Sequence, residues 1–137
     1  MRKLNLYFGI ILFIIFIATG LYMRFSFRPE HMNDLVARME IRSNHIYILF
    51  ISLLNIISFV VIGSDRSILV LNLNRFSRSL FIISGILSVF AFVYEHNGTL
   101  QGRALTFYCI LFSLIGTVFF LITYALSFQM NSKEKWK

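Results

Sequence analysis

The sequence predicts an all-α integral membrane protein, a four-helix transmembrane bundle forming one domain over residues 1–137, and three observations carry that prediction. First, 58% of the 137 residues are hydrophobic, while 13 are basic and 6 acidic. The mean hydropathy is +0.76, far more apolar than a water-soluble surface allows. Second, the ionisable side chains divide the chain into four uncharged intervals of 16 to 29 residues, a range around the ~20 that a helix needs to cross roughly 30 Å of hydrocarbon. Third, one proline, seven glycines and one cysteine exclude a collagen-like chain, a disulfide framework and a zinc site built on paired thiolates. The abundance of Ile, Leu and Phe equally excludes a disordered chain.

The first interval runs over 4–23, from Leu4 to Met23. With Arg2 and Lys3 before it and small Ala18 and Gly20 near its end it resembles a signal peptide, but its apolar run is longer than a signal core, so it is read as a true span. Arg24 to Met32 forms the first turn, where Pro29 is expected to interrupt any helix. Asn33 or Asp34 then caps a second helix that runs to about Gly63, with its apolar span at 46–63. About 30 residues at roughly 1.5 Å each make about 45 Å, so the first turns of this helix stand outside the hydrocarbon. The third span, 79–94, has 16 uncharged residues, and Arg75, Arg78 and Glu95 are expected to snorkel at its ends. The apolar stretch Ile68 to Leu73 before it is expected to rest in the interface, with a re-entrant dip as the alternative. The fourth span covers 104–129. Asn97-Gly98 reads as a tight turn between the last two spans, although Asn97-Gly98-Thr99 also matches a glycosylation sequon.

Lys and Arg set the orientation. One side holds Arg2, Lys3, Arg66, Arg75, Arg78, Lys133, Lys135 and Lys137; the other holds Arg24, Arg28, Arg38, Arg42 and Arg103. The bias predicts a multi-pass protein of the plasma (inner) membrane with both termini cytoplasmic. Membrane topology and attraction to anionic lipid account for the net charge of +7, and nothing points to nucleic acid. Tyr22, Tyr47 and Tyr94 near one boundary, and Tyr7 and Trp136 near the other, read as interfacial anchors.

Polar stripes show which faces turn inward. At about 100° per residue, Asp34, Arg38, Arg42, His45 and Ser52 fall within a quarter of the second helix. The same arithmetic aligns Ser77, Ser84, Ser88, Ala91 and Glu95 on the third, and Thr106, Ser113, Thr117 and Tyr124 on the fourth, with Cys109, Gly116 and Ser127 beside them. Hydroxyl and small residues at such positions let backbones approach and hydrogen-bond across helices, and Asn55 fits the same role.

Ionisable groups crowd the outer end. Arg24, Arg28, Glu30, His31, Arg38, Glu40, Arg42, His45, Glu95, His96 and Arg103 make up half of the chain's 22 ionisable side chains counting histidine. An ionisable group at the membrane boundary needs a partner, which makes Arg42, His45, Glu95 and Arg103 the candidate ligand-binding residues. An ion-pair network closing the bundle is the structural alternative. Haem b would need two imidazoles, and His45 with His96 is the available pair; a quinone would need only a cationic donor, a proton carrier and an apolar slot. No metal site, glycine-rich phosphate loop, HExxH or nucleophile elbow is present.

The run Arg42-Ser43-Asn44-His45-Ile46-Tyr47-Ile48-Leu49 resembles the Arg-x-x-His segment of the membrane glutathione-transferase superfamily, small four-helix proteins that form trimers. The resemblance covers under a tenth of the chain and implies a trimer with a lipophilic ligand. Where that family has Asn and Glu this sequence has Tyr47 and Phe50, so the residues that would hold a thiol cofactor are missing.

Together these features lead to the expectation of a non-catalytic subunit or scaffold, in a homo-oligomer or a larger membrane complex, whose partners are the bilayer and other helices and which has no cofactor. Binding of haem b or quinone at the outer end is the alternative. A solute transporter is disfavoured because no span is broken by a Gly or Pro pair.

Overall fold

The computed structural model describes residues 2–61, 68–95 and 102–134. Among them are four long helices and no strand: α1 (Arg2–Tyr22), α2 (Leu35–Val61), α3 (Ile68–Tyr94) and α4 (Ala104–Glu134). Each is long and apolar enough to cross a membrane, so the chain has the build of a multi-pass membrane protein.

The helix ends follow local chemistry. α1 continues through a π-helical turn, Met23–Phe27, into a single α-turn, Arg28–Glu30. Pro29 therefore does not interrupt the helix as the sequence suggests. The π-turn shifts the hydrogen bonding by one residue, so that the Arg28 N–H reaches the Met23 carbonyl, and the proline falls in the first positions of the α-turn that follows, where helices tolerate it. The chain then breaks at His31. Asp34 caps α2, its Oδ1 accepting the Ala37 N–H at 2.9 Å, which satisfies one of the orphan donors of the first turn. Gly63 and the Asn97-Gly98 turn lie outside the described residues. Before α4, Gly102 takes φ +85°, a left-handed conformation that glycine adopts without strain.

α3 corrects one expectation. Ile68 to Leu73 does not form a segment apart from the third span or a re-entrant dip but supplies the first turns of α3, which carries Arg75 and Arg78 within a continuous helix. A guanidinium is tolerated there because Arg78, only 6% exposed, gives an N–H to the Ser58 carbonyl of α2 at 2.9 Å.

Consecutive helices run antiparallel: Asn5 meets Asn55, Asn44 meets the Ala91 carbonyl, and Ser84 meets the Cys109 carbonyl. α2 and α3 form the centre; α1 lies against α2 and touches α3, and α4 lies against α3 and touches α2. Half of the apolar window of α3 is buried but only 11% of that of α1, so α1 is the outlying helix. The buried positions recur at alternating intervals of three and four. On α2 they are Ala37, Ile41, Asn44, Ile48, Ile51, Asn55 and Ser58; on α3, Val70, Asn74, Ser77, Phe81, Ser84, Ser88 and Ala91. This period of 3.5 is that of left-handed packing with helices about 20° apart.

The same period corrects the stripe on α4. A seam of period 3.5 drifts about 20° per heptad from a straight 3.6-residue wheel. Thr106, Cys109, Ser113, Phe120 and Thr123 are buried, whereas Tyr124, aligned with Thr106 on the straight wheel, is 46% exposed.

Candidate functional site

Two polar clusters lie inside the fold, near its two ends. Around Asn44, which is fully buried, three helices meet. Its Nδ2 donates to the backbone carbonyls of Ala91 and Glu95 on the α3 side at 3.0 and 3.1 Å. Its Oδ1 accepts from Arg103 at 2.6 Å and lies 3.0 Å from the Thr106 hydroxyl. Arg103 also donates to Ser43 Oγ at 2.9 Å. The Glu95 carboxylate turns to the start of α4, accepting the Leu105 and Thr106 N–H groups at 2.6 and 2.9 Å, with the Thr106 hydroxyl 2.6 Å from Oε2. A carboxylate on two orphan N–H groups at a helix start is favoured by hydrogen bonding and by the helix dipole together.

The second cluster joins α1, α2 and α3 near the opposite end. Asn5 Nδ2 donates to Asn55 Oδ1 at 2.9 Å and to the Arg78 carbonyl at 3.2 Å. Asn55 Nδ2 donates to the carbonyls of Ile51 and Phe81. Ser52 donates to the Gly9 carbonyl at 2.8 Å, where the α1 and α2 backbones come close. Ser77 and Ser84 bind the carbonyls of Gly116 and Cys109 in the same way. Each such bond across apolar surroundings contributes about 0.6 kcal/mol, up to roughly 1.7.

The four candidate residues from the sequence part company. Glu95 and Arg103 come together through Asn44 and Thr106. His45 faces α1: its Nδ1 lies 2.9 Å from the Thr19 hydroxyl, its ring stacks on Phe16 at 4.2 Å, and Gly20 leaves room for its edge. No hydrogen bond or ion pair joins His45 to Glu95 among the described residues, because successive residues on α2 point about 100° apart and Asn44, not His45, faces α3. Arg42 is exposed and lines a small cavity with Arg24, Arg28 and Arg38. His96 lies outside the described residues. Among the described residues no three His, Cys, Asp or Glu side chains gather closely enough to hold a metal ion.

Sequence reasoning passes over Asn5, Asn44 and Thr123 and places Arg78 at an interface. The available signal for Asn44 is its spacing: it falls seven residues after Ala37 and seven before Ile51, on the buried seam, whereas the wheel centred on the charged residues runs one position beside it.

No family model matches the chain, and no curated protein or solved structure is significantly similar to it. The likeness of residues 42–49 to the membrane glutathione-transferase segment therefore has no support beyond those residues.

Proposed function

We propose that the chain is a non-catalytic subunit or small scaffold of a membrane assembly, formed with further copies of itself or with other membrane proteins. The observation that carries this reading is that three of the four candidate residues, His45, Glu95 and Arg103, are engaged in contacts between helices. Arg103, Asn44, Thr106 and Glu95 close on one another, and His45 closes on Thr19 and Phe16. Side chains held in this way fix helix against helix, with Arg103 Nε the one buried side-chain polar atom of this cluster left without a hydrogen-bond partner among the described residues. Purified intact in mild detergent, the protein should run as a complex heavier than one 16.0 kDa chain, without an absorbance band at about 400 nm. His45→Ala should lower stability by roughly 1 to 3 kcal/mol, the loss of one buried polar contact, and leave the absorption spectrum unchanged. A 16.0 kDa monomer with a 400 nm band that disappears in His45→Ala would establish haem binding instead.

The reading places the protein in the plasma (inner) membrane with both termini in the cytoplasm, supported by the Lys and Arg distribution. A reporter fused after Lys137 should be active only in its cytoplasmic form, and one inserted between residues 97 and 102 only in its exported form. The reverse pattern refutes the orientation.

A further inference from the structure

Where α1 gives way to the π-turn, four arginines converge on one cavity of about 170 Å³. Arg24 and Arg28 come from the continuation of α1, Arg38 and Arg42 from the facing start of α2, each pair spaced i, i+4. The floor is apolar: Phe27 and Ile41 are each 2% exposed. No carboxylate is among the described residues lining the cavity. Arg38 donates to the Met32 carbonyl at 3.2 Å, and the Arg24 guanidinium lies 5.5 Å from the Phe25 ring centre.

This arrangement is unfavourable as it stands. Like charges at i, i+4 repel along each helix, and the exposure of Arg24, Arg28 and Arg42 keeps that repulsion modest and dependent on salt. The carboxylates nearest in sequence, Glu30, Asp34 and Glu40, lie outside its lining, and Asp34 and Glu95 accept backbone N–H groups at the starts of α2 and α4. Membrane topology does not account for the arrangement. Of the five Lys and Arg residues at this end, on the side the proposed orientation leaves poorer in positive charge, four meet here; the fifth, Arg103, is held by Asn44. An anion would relieve it, and guanidinium forks match the oxygens of a phosphate.

Depth and size indicate the source of that phosphate. Arg24 ends the apolar run of α1, so the cavity lies where hydrocarbon gives way to headgroups. Its volume falls below the roughly 300 to 1,000 Å³ of pockets that enclose a drug-sized ligand, so it takes a headgroup rather than a whole lipophile. We propose that this cavity binds the phosphate of an anionic phospholipid, whose glycerol backbone rests on Phe27 and Ile41.

The test uses the full chain, purified in detergent and offered phosphatidylglycerol and phosphatidylcholine at equal mole fraction, with bound lipid counted by native mass spectrometry. Phosphatidylglycerol should be retained in preference. Arg28→Gln with Arg42→Gln should weaken that retention about thirtyfold while leaving the protein folded, since the change also removes repulsion. Lys3→Gln with Arg75→Gln, which removes the same charge from exposed positions at the other end, should retain the lipid. Should the first double variant fail to fold, Arg42→Lys keeps the charge but loses the fork and should still reduce retention. Equal retention of the two lipids, equal loss in the two charge-matched variants, or undiminished retention in a folded Arg28→Gln, Arg42→Gln protein overturns the proposal. Displacement of phosphatidylglycerol by inorganic phosphate assigns the anion site to soluble phosphate and overturns the lipid as its source.

Discussion

Asn44→Ala should destabilise the protein by roughly 2 to 4 kcal/mol, more than any exposed substitution, because one side chain ties α2 to both of the helices beyond it. The truncation removes two donors from the Ala91 and Glu95 carbonyls and the acceptor that receives Arg103 at 2.6 Å. The guanidinium keeps Ser43, and it is only half-buried, which holds the cost below that of stranding a fully buried charge. The effect is read from the SDS mole fraction at which the protein unfolds in mixed micelles. A loss under about 0.5 kcal/mol would show that the hub does not hold the helices together. Ser43→Ala, one residue earlier, removes one bond to Arg103 and sets the scale for comparison.

Gly9→Leu should have the second large effect, about 3 kcal/mol, and it should act on α1 alone. A Cβ at Gly9 would stand 2.8 Å from Ile56 Cγ1, 3.1 Å from the Ser52 carbonyl oxygen and 3.2 Å from Asn55 Cβ. The Ile56 side chain can turn away, but the Ser52 carbonyl belongs to the α2 backbone, so the helices must separate. Separation also breaks the bond from Ser52 to the Gly9 carbonyl and strains that from Asn5 to Asn55. Because α1 is the least buried helix, it should come away while α2, α3 and α4 stay packed. Limited proteolysis in the turn at 31–34 reports this as faster cleavage with most of the remaining stability retained. Gly20→Ala provides the contrast, since its Cβ would meet only the His45 ring edge at 3.3 Å and should cost little. Equal effects at Gly9 and Gly20 would remove the backbone approach as the cause.

The four helices are legible in the sequence because water and hydrocarbon sort residues strongly: intervals without charge are spans, and Asp34 before an apolar run is a cap. The start of the third helix is not legible by that rule. A charge marks a boundary only if it has no partner inside, and the Ser58 carbonyl that accepts from Arg78 belongs to another helix. The candidate site is readable in part for a similar reason. Glu95 and Arg103 stand at the end of α3 and the start of α4, and the charges that bound the apolar spans mark both. Asn44 is an uncharged residue among charged ones, and its importance lies in a seam period of 3.5 that a straight helical wheel blurs. The π-turn has no local signature beyond Pro29, yet it sets how Arg24 and Arg28 face α2.

The interhelical hydrogen bonds have one further property, seen most clearly at Gly9, Phe81, Ala91, Cys109 and Gly116. At each of these positions the acceptor is the main-chain carbonyl, while a Ser or Asn on the neighbouring helix supplies the donor. Every residue type carries that carbonyl, so each cross-link constrains the identity of one residue rather than two, and the acceptor site answers only to volume. Substitution is therefore expected to act unevenly: exchanging a donor removes its cross-link, whereas exchanging an acceptor residue leaves the cross-link in place so long as the helices keep their spacing.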